Sequence, residues 1–194
     1  MTDTNSVFIH PNALCESSSV GAGTRVWAFS HVMQGAVVGE RCNICDHAFI
    51  ESGAVVGDGV TVKNNVLLWD GVTVEDDVFL GPNVVFTNDP NPRAAIKKST
   101  EQLGKTSVRR GATIGANSTV LCGIVIGEHS FIGAGSVVTC DVAPFALSFG
   151  NPARRQGWMC VCGLRLDATL RCSCGRAYKE TAEGHLVPDP LGPI

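Results

Sequence analysis

VMQGAVVGERCNICDHAFIESGAVVGDGVTVKNNVLLWDGVTV, residues 32–74, carries an aliphatic residue at every sixth position: Val32, Val38, Ile44, Ile50, Val56, Val62, Leu68 and Val74. The same spacing reaches back through Val26, Val20 and Leu14 to Phe8, and forward through Leu80 to Phe86. After a gap it resumes at Val108 and continues through Ile114, Val120, Ile126, Ile132 and Val138. A period of six matches neither the roughly 3.6 of an amphipathic helix nor the period of about 2 of a half-buried strand. It is the mark of a solenoid, in which each repeat stacks on the last and buries one inward side chain. A two-sheet sandwich is the competing reading, but sandwich strands do not hold one spacing from Phe8 to Phe86.

A second column supports the solenoid. Four residues after each aliphatic stands a small or β-branched residue, as at Ala36, Cys42, Ala48, Ala54, Val60, Val66, Val72, Val78 and Val84, and again at Ala112, Ser118, Ile124, Ser130 and Ser136. Glycine often follows the aliphatic directly and suits tight corners. Three six-residue units then make one triangular turn, and residues eighteen apart lie above one another. The expected fold is an all-β parallel β-helix with a protruding loop and a Cys-rich appendage.

The chain of 194 residues allows one domain and a small extra unit. Aromatic content is only 6%, as a narrow core of Val, Ile and Ala requires. No apolar stretch is long enough to span a membrane, and no basic segment followed by an apolar run opens the chain. A cytoplasmic protein is expected. Net charge is −3, but it is divided unevenly: residues 1–92 carry eleven acids against three bases, and residues 93–194 seven acids against twelve bases. Six of those bases, Arg93, Lys97, Lys98, Lys105, Arg109 and Arg110, fall close together. They suit either a solvated loop or a site for phosphorylated ligands. No aromatic residue is interleaved with them, which argues against nucleic acid.

Residues 87–107 (TNDPNPRAAIKKSTEQLGKTS) break the period, and a long excursion from a regular solenoid is more often functional than incidental. The β-helix is expected over 1–157, with this loop inserted and residues 1–7 loosely held. A Cys-rich tail over 158–194 ends in a Pro-rich segment. The tail holds Cys160, Cys162, Cys172 and Cys174 in two Gly-followed pairs. They read as two knuckles on a zinc ion, as reduced thiols, or as disulfides, the last disfavoured in a reducing compartment. Cys42 and Cys45 read as packing.

The six-residue pattern resembles the left-handed β-helix acyltransferases of the hexapeptide-repeat superfamily. GNPAR (150–154) resembles the element that leaves the last coil there and meets coenzyme A. KNNVLLWDGVTVEDDVFLGPNVVFTNDPNPR (63–93) resembles the subgroup that acetylates the 3-amino group of nucleotide-linked sugars. VWAFSH (26–31) and GWMCVCG (157–163) point to one branch, the UDP-2-acetamido-3-amino-2,3-dideoxy-D-glucuronate N-acetyltransferases of lipopolysaccharide synthesis. The resemblance implies acetyl-CoA as co-substrate, a UDP-linked amino sugar as acceptor, and a homotrimer with sites between neighbouring β-helices.

Acetyl transfer to an amine needs a neutral, aimed nucleophile and a donor for the developing oxyanion. Asn83 is the expected catalytic residue. It stacks over Asn65 and His47 on one corner, and the resemblance places it beside the sugar amine. Asn does not take up a proton at neutral pH, so its role is positioning. The other reading is a structural corner ladder. His47 and His129, both assigned to that corner by counting, are the candidate general bases. His31, Asn65, Trp69, Glu75, Asp77, Phe86, Asn88 and Arg93 are the expected substrate contacts. Trp69 would stack on the base or cover a subunit contact, Glu75 and Asp77 would meet sugar hydroxyls or form a solvated turn, and Arg93 would pair with a carboxylate or phosphate. For the cofactor, Gly115, Gly133 and Ala134 offer close backbone approach to the pantetheine arm, and Arg154 and Arg155 suit the phosphates. A γ-type carbonic anhydrase needs a local His pair that is absent here. A non-catalytic β-helix would need neither the basic loop nor the GNPAR exit.

Overall fold

From Val26 onward each aliphatic of the six-residue run closes a short strand, facing in while the residue before it faces out. Arg25 is exposed and Val26 buried, and the same pattern holds for Val37 and Val38, Val55 and Val56, and Phe79 and Leu80. The computed structural model describes residues 6–182 and 184–189. Its strands stack in parallel register on three faces. Face A runs from Phe8–Ile9 through Arg25–Val26, Asn43–Ile44, Thr61–Val62, Phe79–Leu80 and Thr113–Ile114 to Phe131–Ile132. Face B runs from Leu14–Cys15 through His31–Val32, Phe49–Ile50, Leu67–Leu68, Val85–Phe86 and Thr119–Val120 to Val137–Val138. Face C holds Val37–Val38, Val55–Val56, Val72–Val74, Thr106–Val108 and Val125–Ile126. Between them the inward side chains form one continuous apolar core. This is the expected all-β solenoid. Among the described residues no helix is long and apolar enough to cross a membrane.

Three stacks of corners join the faces, and each needs a residue in the left-handed backbone region. The A–B corner places Phe29, His47, Asn65, Asn83 and Asn117 there, with φ between 58° and 61°. The B–C corner uses glycine instead, at Gly35, Gly53, Gly71 and Gly123. The C–A corner mixes Arg41, Asp77, His129 and Phe145 with glycines. Asn, Asp and His tolerate this conformation better than most side chains, so polar residues recur at the edges of the prism.

Two boundaries differ from the sequence expectation. Phe8 and Leu14 do not belong to the inward column, since Phe8 pairs with Arg25 and Leu14 with His31, both facing out. Ile9 and Cys15 take the inward places instead. From Cys15 to Val20 the chain advances five residues rather than six, and the register shifts by one. The inserted loop also closes earlier than residue 107. Thr106 and Ser107 already pair with Val72 and Thr73, and the buried Thr106 hydroxyl accepts from the Gly123 N–H at 3.2 Å.

The loop therefore spans 87–105 and leaves from the B–C corner. Its neck is closed by Gly104 N–H donating to the Asn88 carbonyl at 2.8 Å. Inside it, Asp89 holds Lys98 Nζ and accepts from Asn91 N–H at 2.8 Å, while Lys98 Nζ also reaches the Asn91 carbonyl at 3.1 Å. At the far end, strands Ala146–Gly150 and Ala153–Trp158 form an antiparallel hairpin on face A. Its second strand runs through residue 157 into the tail. Trp158, Leu166, Tyr178 and Leu186 join the same core cluster as the coils. Residues 190–194, which hold most of the expected Pro-rich end, lie outside the described residues, as do residues 1–5 of the loosely held start.

Candidate active site

Asn83 is the middle rung of a ladder. Asn65 Nδ2 donates to Asn83 Oδ1 at 3.0 Å, and Asn83 Nδ2 donates to Asn117 Oδ1 at 3.1 Å. Below Asn65 on the same corner, the His47 ring stacks on Phe29 at 5.1 Å and 12°. An amide has two carbonyl lone pairs and two N–H donors, so each ladder bond leaves Asn83 one acceptor and one donor for a ligand. The bonds all point one way along the corner, which polarises the exposed amides in series. The ladder and a ligand-positioning role are thus compatible in one side chain.

Asn117 was missed by counting. The coil that carries the loop separates it from Asn83 by 34 residues, whereas Asn65 and Asn83 stand 18 apart. The signal was present in the Gly-Ala-Asn run of residues 115–117, one coil after Gly-Pro-Asn of 81–83. The same offset corrects the placement of His129. It sits on the C–A corner, not with Asn83, stacked on Phe145 at 5.4 Å with Nε2 at 3.6 Å from Glu128 Oε1. His47 does share the Asn83 corner, two coils away, and stands apart from the loop.

Face B lies between the asparagine ladder and the loop. Along it His31 and Phe49 meet edge to face at 5.4 Å, and Phe49 meets Trp69 at 5.6 Å. Trp69 is anchored by Nε1 donating to the Phe86 carbonyl at 2.9 Å. His31 Nε2 is 3.1 Å from Glu16 Oε2, and that hydrogen bond holds the Glu16 carboxyl below its usual range. Phe86 itself is a correction: its side chain is fully buried in the core, because it occupies the inward place of its strand. Only its carbonyl faces the site. Asn88 lies at the neck of the loop, where it leaves the B–C corner, and Arg93 lies further out on it. Among the described residues Arg93 has no acidic partner, its Nη1 reaching the Pro92 carbonyl at 3.3 Å. Of the clustered bases, Lys98, Arg109 and Arg110 are paired with Asp89, Glu75 and Asp76, which leaves Arg93, Lys97 and Lys105 without an acidic partner among the described residues.

Glu75 and Asp77 lie on the C–A corner, the edge opposite face B. Glu75 Oε1 accepts from Arg109 at 2.6 Å and Oε2 from the Arg110 N–H at 2.9 Å. Burial opposes ionisation of Glu75, yet these bonds outweigh it and hold the carboxyl below its usual range. Within one chain neither residue meets Asn83. Glu75, with Arg109, Arg110 and Glu128, lines a cleft of about 790 Å³ along face C, to which Asp77 does not contribute.

Gly115 and Gly133 have a packing reason of their own. A Cβ on Gly115 would lie 2.5 Å from the Ala134 nitrogen, and one on Gly133 would lie 2.8 Å from the Phe149 Cβ. Both permit coils to stack directly. Arg154 and Arg155 stand on the exit strand and border a cleft of about 260 Å³ with Cys140 and Ser148. Arg155 lies over the Trp158 ring at 4.3 Å, with Nη1 3.8 Å from Glu180, while Arg154 has no acidic partner among the described residues. The tail gathers Cys160, Cys162, Cys172 and Cys174 into one cluster.

Comparison with known proteins fits this architecture. Residues 105–140 match the family described as bacterial transferase hexapeptide (six repeats), and residues 35–69 match the hexapeptide repeat of succinyl-transferase. Over 175 residues the chain is 50% identical to a dTDP-3-amino-3,6-dideoxy-alpha-D-galactopyranose 3-N-acetyltransferase of Aneurinibacillus thermoaerophilus, covering 89% of this chain and 90% of that protein. The acetyltransferase domain of PglB from Neisseria gonorrhoeae, solved with acetyl coenzyme A, shares the fold with a TM-score of 0.52 at 24% identity. That match covers 79% of this chain and 59% of the other. A hexapeptide-repeat acetyltransferase of Vibrio cholerae, also solved with acetyl coenzyme A, matches with a TM-score of 0.50 and 26% identity, over 63% and 67% of the two chains. The chain belongs to the hexapeptide-repeat acyltransferases and has their left-handed parallel β-helix. Within that class it is an acetyl-CoA-dependent N-acetyltransferase.

Proposed function

We propose that the protein acetylates the 3-amino group of a nucleotide-linked hexose, with face B and the 87–105 loop as the sugar site. The observation that carries this reading is the 50% identity to a 3-N-acetyltransferase of a dTDP-linked sugar, which spans coils and loop alike. That relative favours a dTDP-linked 3-amino-3,6-dideoxy sugar. The second reading, a UDP-linked 2-acetamido-3-amino-glucuronate for surface polysaccharide, rests on Arg93, a guanidinium of the loop with no acidic partner among the described residues.

In either case the free lone pair of Asn83 Oδ1 accepts from the amine N–H and aims the nitrogen lone pair at the thioester carbonyl. The N–C bond forms, a tetrahedral intermediate collapses, and the C–S bond breaks. The ammonium proton passes to the departing thiolate, so no side-chain base is required. Positioning supplies the rate. Arg154 on the exit strand, whose guanidinium donates to the Ala153 carbonyl and meets no acid among the described residues, suits a coenzyme phosphate. Glu75 and Asp77 reach this site only from a neighbouring copy, which fits a homotrimer with sites between subunits.

The test is thiol release from acetyl-CoA with a panel of acceptors: dTDP-3-amino-3,6-dideoxyhexose, UDP-2-acetamido-3-amino-glucuronate, and a dTDP-4-amino sugar. Turnover with a 3-amino sugar and none with the 4-amino compound supports the reading. Preference for the glucuronate, lost selectively in Arg93→Ala, selects the second reading. Turnover with the 4-amino sugar alone rejects both.

A further inference from the structure

The tail beyond Trp158 contains a feature that sugar acetylation does not use. Residues Cys160–Gly163 and Cys172–Gly175 form two copies of one turn. In each, the glycine N–H donates to the carbonyl of the first cysteine, at 2.9 Å from Gly163 and 3.0 Å from Gly175. In each, the N–H of the first cysteine donates four residues ahead, Cys160 to the Leu164 carbonyl at 2.8 Å and Cys172 to the Arg176 carbonyl at 2.9 Å. Antiparallel bridges flank both turns, Met159 with Arg165 and Arg171 with Ala177. Gly163 and Gly175 both take positive φ, 84° and 93°. Placing the cysteines first and third in a tight turn, rather than three apart as in longer knuckles, still brings both sulfurs to the same side.

The two turns face each other and interleave their sulfurs. All four Sγ atoms lie within 4.8 Å of one another. Cys160 and Cys174 are 3.6 Å apart, and Cys162 and Cys172 are 3.5 Å apart. A tetrahedral zinc with Zn–S near 2.3 Å spaces its sulfurs by about 3.8 Å. The surroundings supply donors to sulfur: Tyr178 Oη to Cys160 Sγ at 3.1 Å, Arg176 Nη1 to Cys174 Sγ at 3.3 Å, and Cys174 N–H to Cys172 Sγ at 3.5 Å. Such donors stabilise thiolates that share a metal. Between Cys160 and Lys179 the bases Arg165, Arg171, Arg176 and Lys179 stand against Asp167 alone, and this local excess offsets the double negative charge of a zinc tetrathiolate.

We propose that Cys160, Cys162, Cys172 and Cys174 bind one zinc ion as a closed tetrathiolate that locks the two turns of the tail together. On binding, each thiol gives its proton to solvent and its sulfur to the metal. Four protein ligands leave no open position, so the site is structural and does not activate water. The need for it follows from size. The tail has one two-stranded ribbon, Tyr178–Glu180 with Leu186–Pro188, and few buried side chains of its own. Units this small rarely hold together without a metal or disulfides.

The experiment is metal analysis of the intact protein, purified without chelator and without a metal-affinity tag. The expected result is about one zinc per chain, and replacement by cobalt gives the visible bands of a tetrahedral cobalt thiolate. Cys162→Ser, at an exposed ligand, should lose those bands while the coils keep their circular dichroism. Less than about one-tenth equivalent of zinc, or iron in its place, overturns the proposal. So does a mass under denaturing, non-reducing conditions that shows paired cysteines.

Discussion

Asn83 faces two demands, a backbone at φ 60° and an amide bonded on both sides, and substitutions can separate them. Asn83→Gly keeps the backbone conformation and removes only the amide. We expect it to slow acetyl transfer by roughly 30- to 1000-fold, the scale of one lost positioning hydrogen bond in an excluded site. Its melting temperature should barely move, because the two ladder bonds are exposed. His47→Ala and His129→Ala should stay within about threefold of wild type, since a change of that size is under 1 kcal/mol in the barrier. If either histidine variant is dead while Asn83→Gly turns over normally, a side-chain base carries the reaction. The stacking of Asn65, Asn83 and His47 was legible because residues eighteen apart must align in an uninterrupted coil. Asn117 and the true corner of His129 were not, because the loop lengthens one coil and shifts every count made across it. Phe86 was misassigned for a related reason: its place in the six-residue run marked it as inward, yet its position in the sugar-enzyme segment suggested a contact.

At the scale of the loop, Asp89 is the organising residue. The Lys98 ammonium holds its carboxyl below the usual range, with help from the Asn91 N–H. A depressed carboxyl stabilises the ordered loop above the unfolded pKa of about 3.9, and that contribution is lost only as pH falls through the lower folded value. Loop order should therefore be flat from neutral pH down to about 4, and the Asp89 carboxyl should titrate below about 3.9 by NMR. A midpoint at or above that value would mean the pair does not form in solution. Asp89→Ala should raise KM for the sugar several-fold and leave KM for acetyl-CoA alone. The loop's existence was legible from the break in period, but its closing pair was not. Six bases spread from Arg93 to Arg110 give no hint that three of them are neutralised by Asp89, Glu75 and Asp76, two of these on a separate corner.

Across the whole molecule, exposed apolar side chains stand on all three faces: Phe8, Phe79 and Phe149 on face A, Val37 and Val55 on face C, and Leu14, Phe29, Val85 and Leu121 on face B and its borders. Apolar side chains left bare on flat faces mark surfaces that meet another chain. Three chains of 20.4 kDa packed around a threefold axis would sediment as one species of about 61 kDa. A stable monomer at micromolar concentration would remove the shared site as well as the trimer. The period alone made the solenoid legible from Val20 onward, while the first coil is shifted by one residue. It says nothing of which face is covered, because all three faces present the same alternation.

The two ends of the prism are unlike. At the first coil Ile9 points inward yet is 45% exposed, with nothing stacked beneath it among the described residues. At the last coil Phe145 meets Tyr178, and Trp158 and Leu186 are buried against the core. In a solenoid each coil holds only its neighbours, so local opening starts where a neighbour is missing. Unfolding then has a direction: it frays from the amino terminus and is blocked at the carboxyl end. Amides of residues 8–32 should exchange with deuterium first, those of 108–158 last, and the Asn83 coil between them should set the point beyond which fraying costs activity.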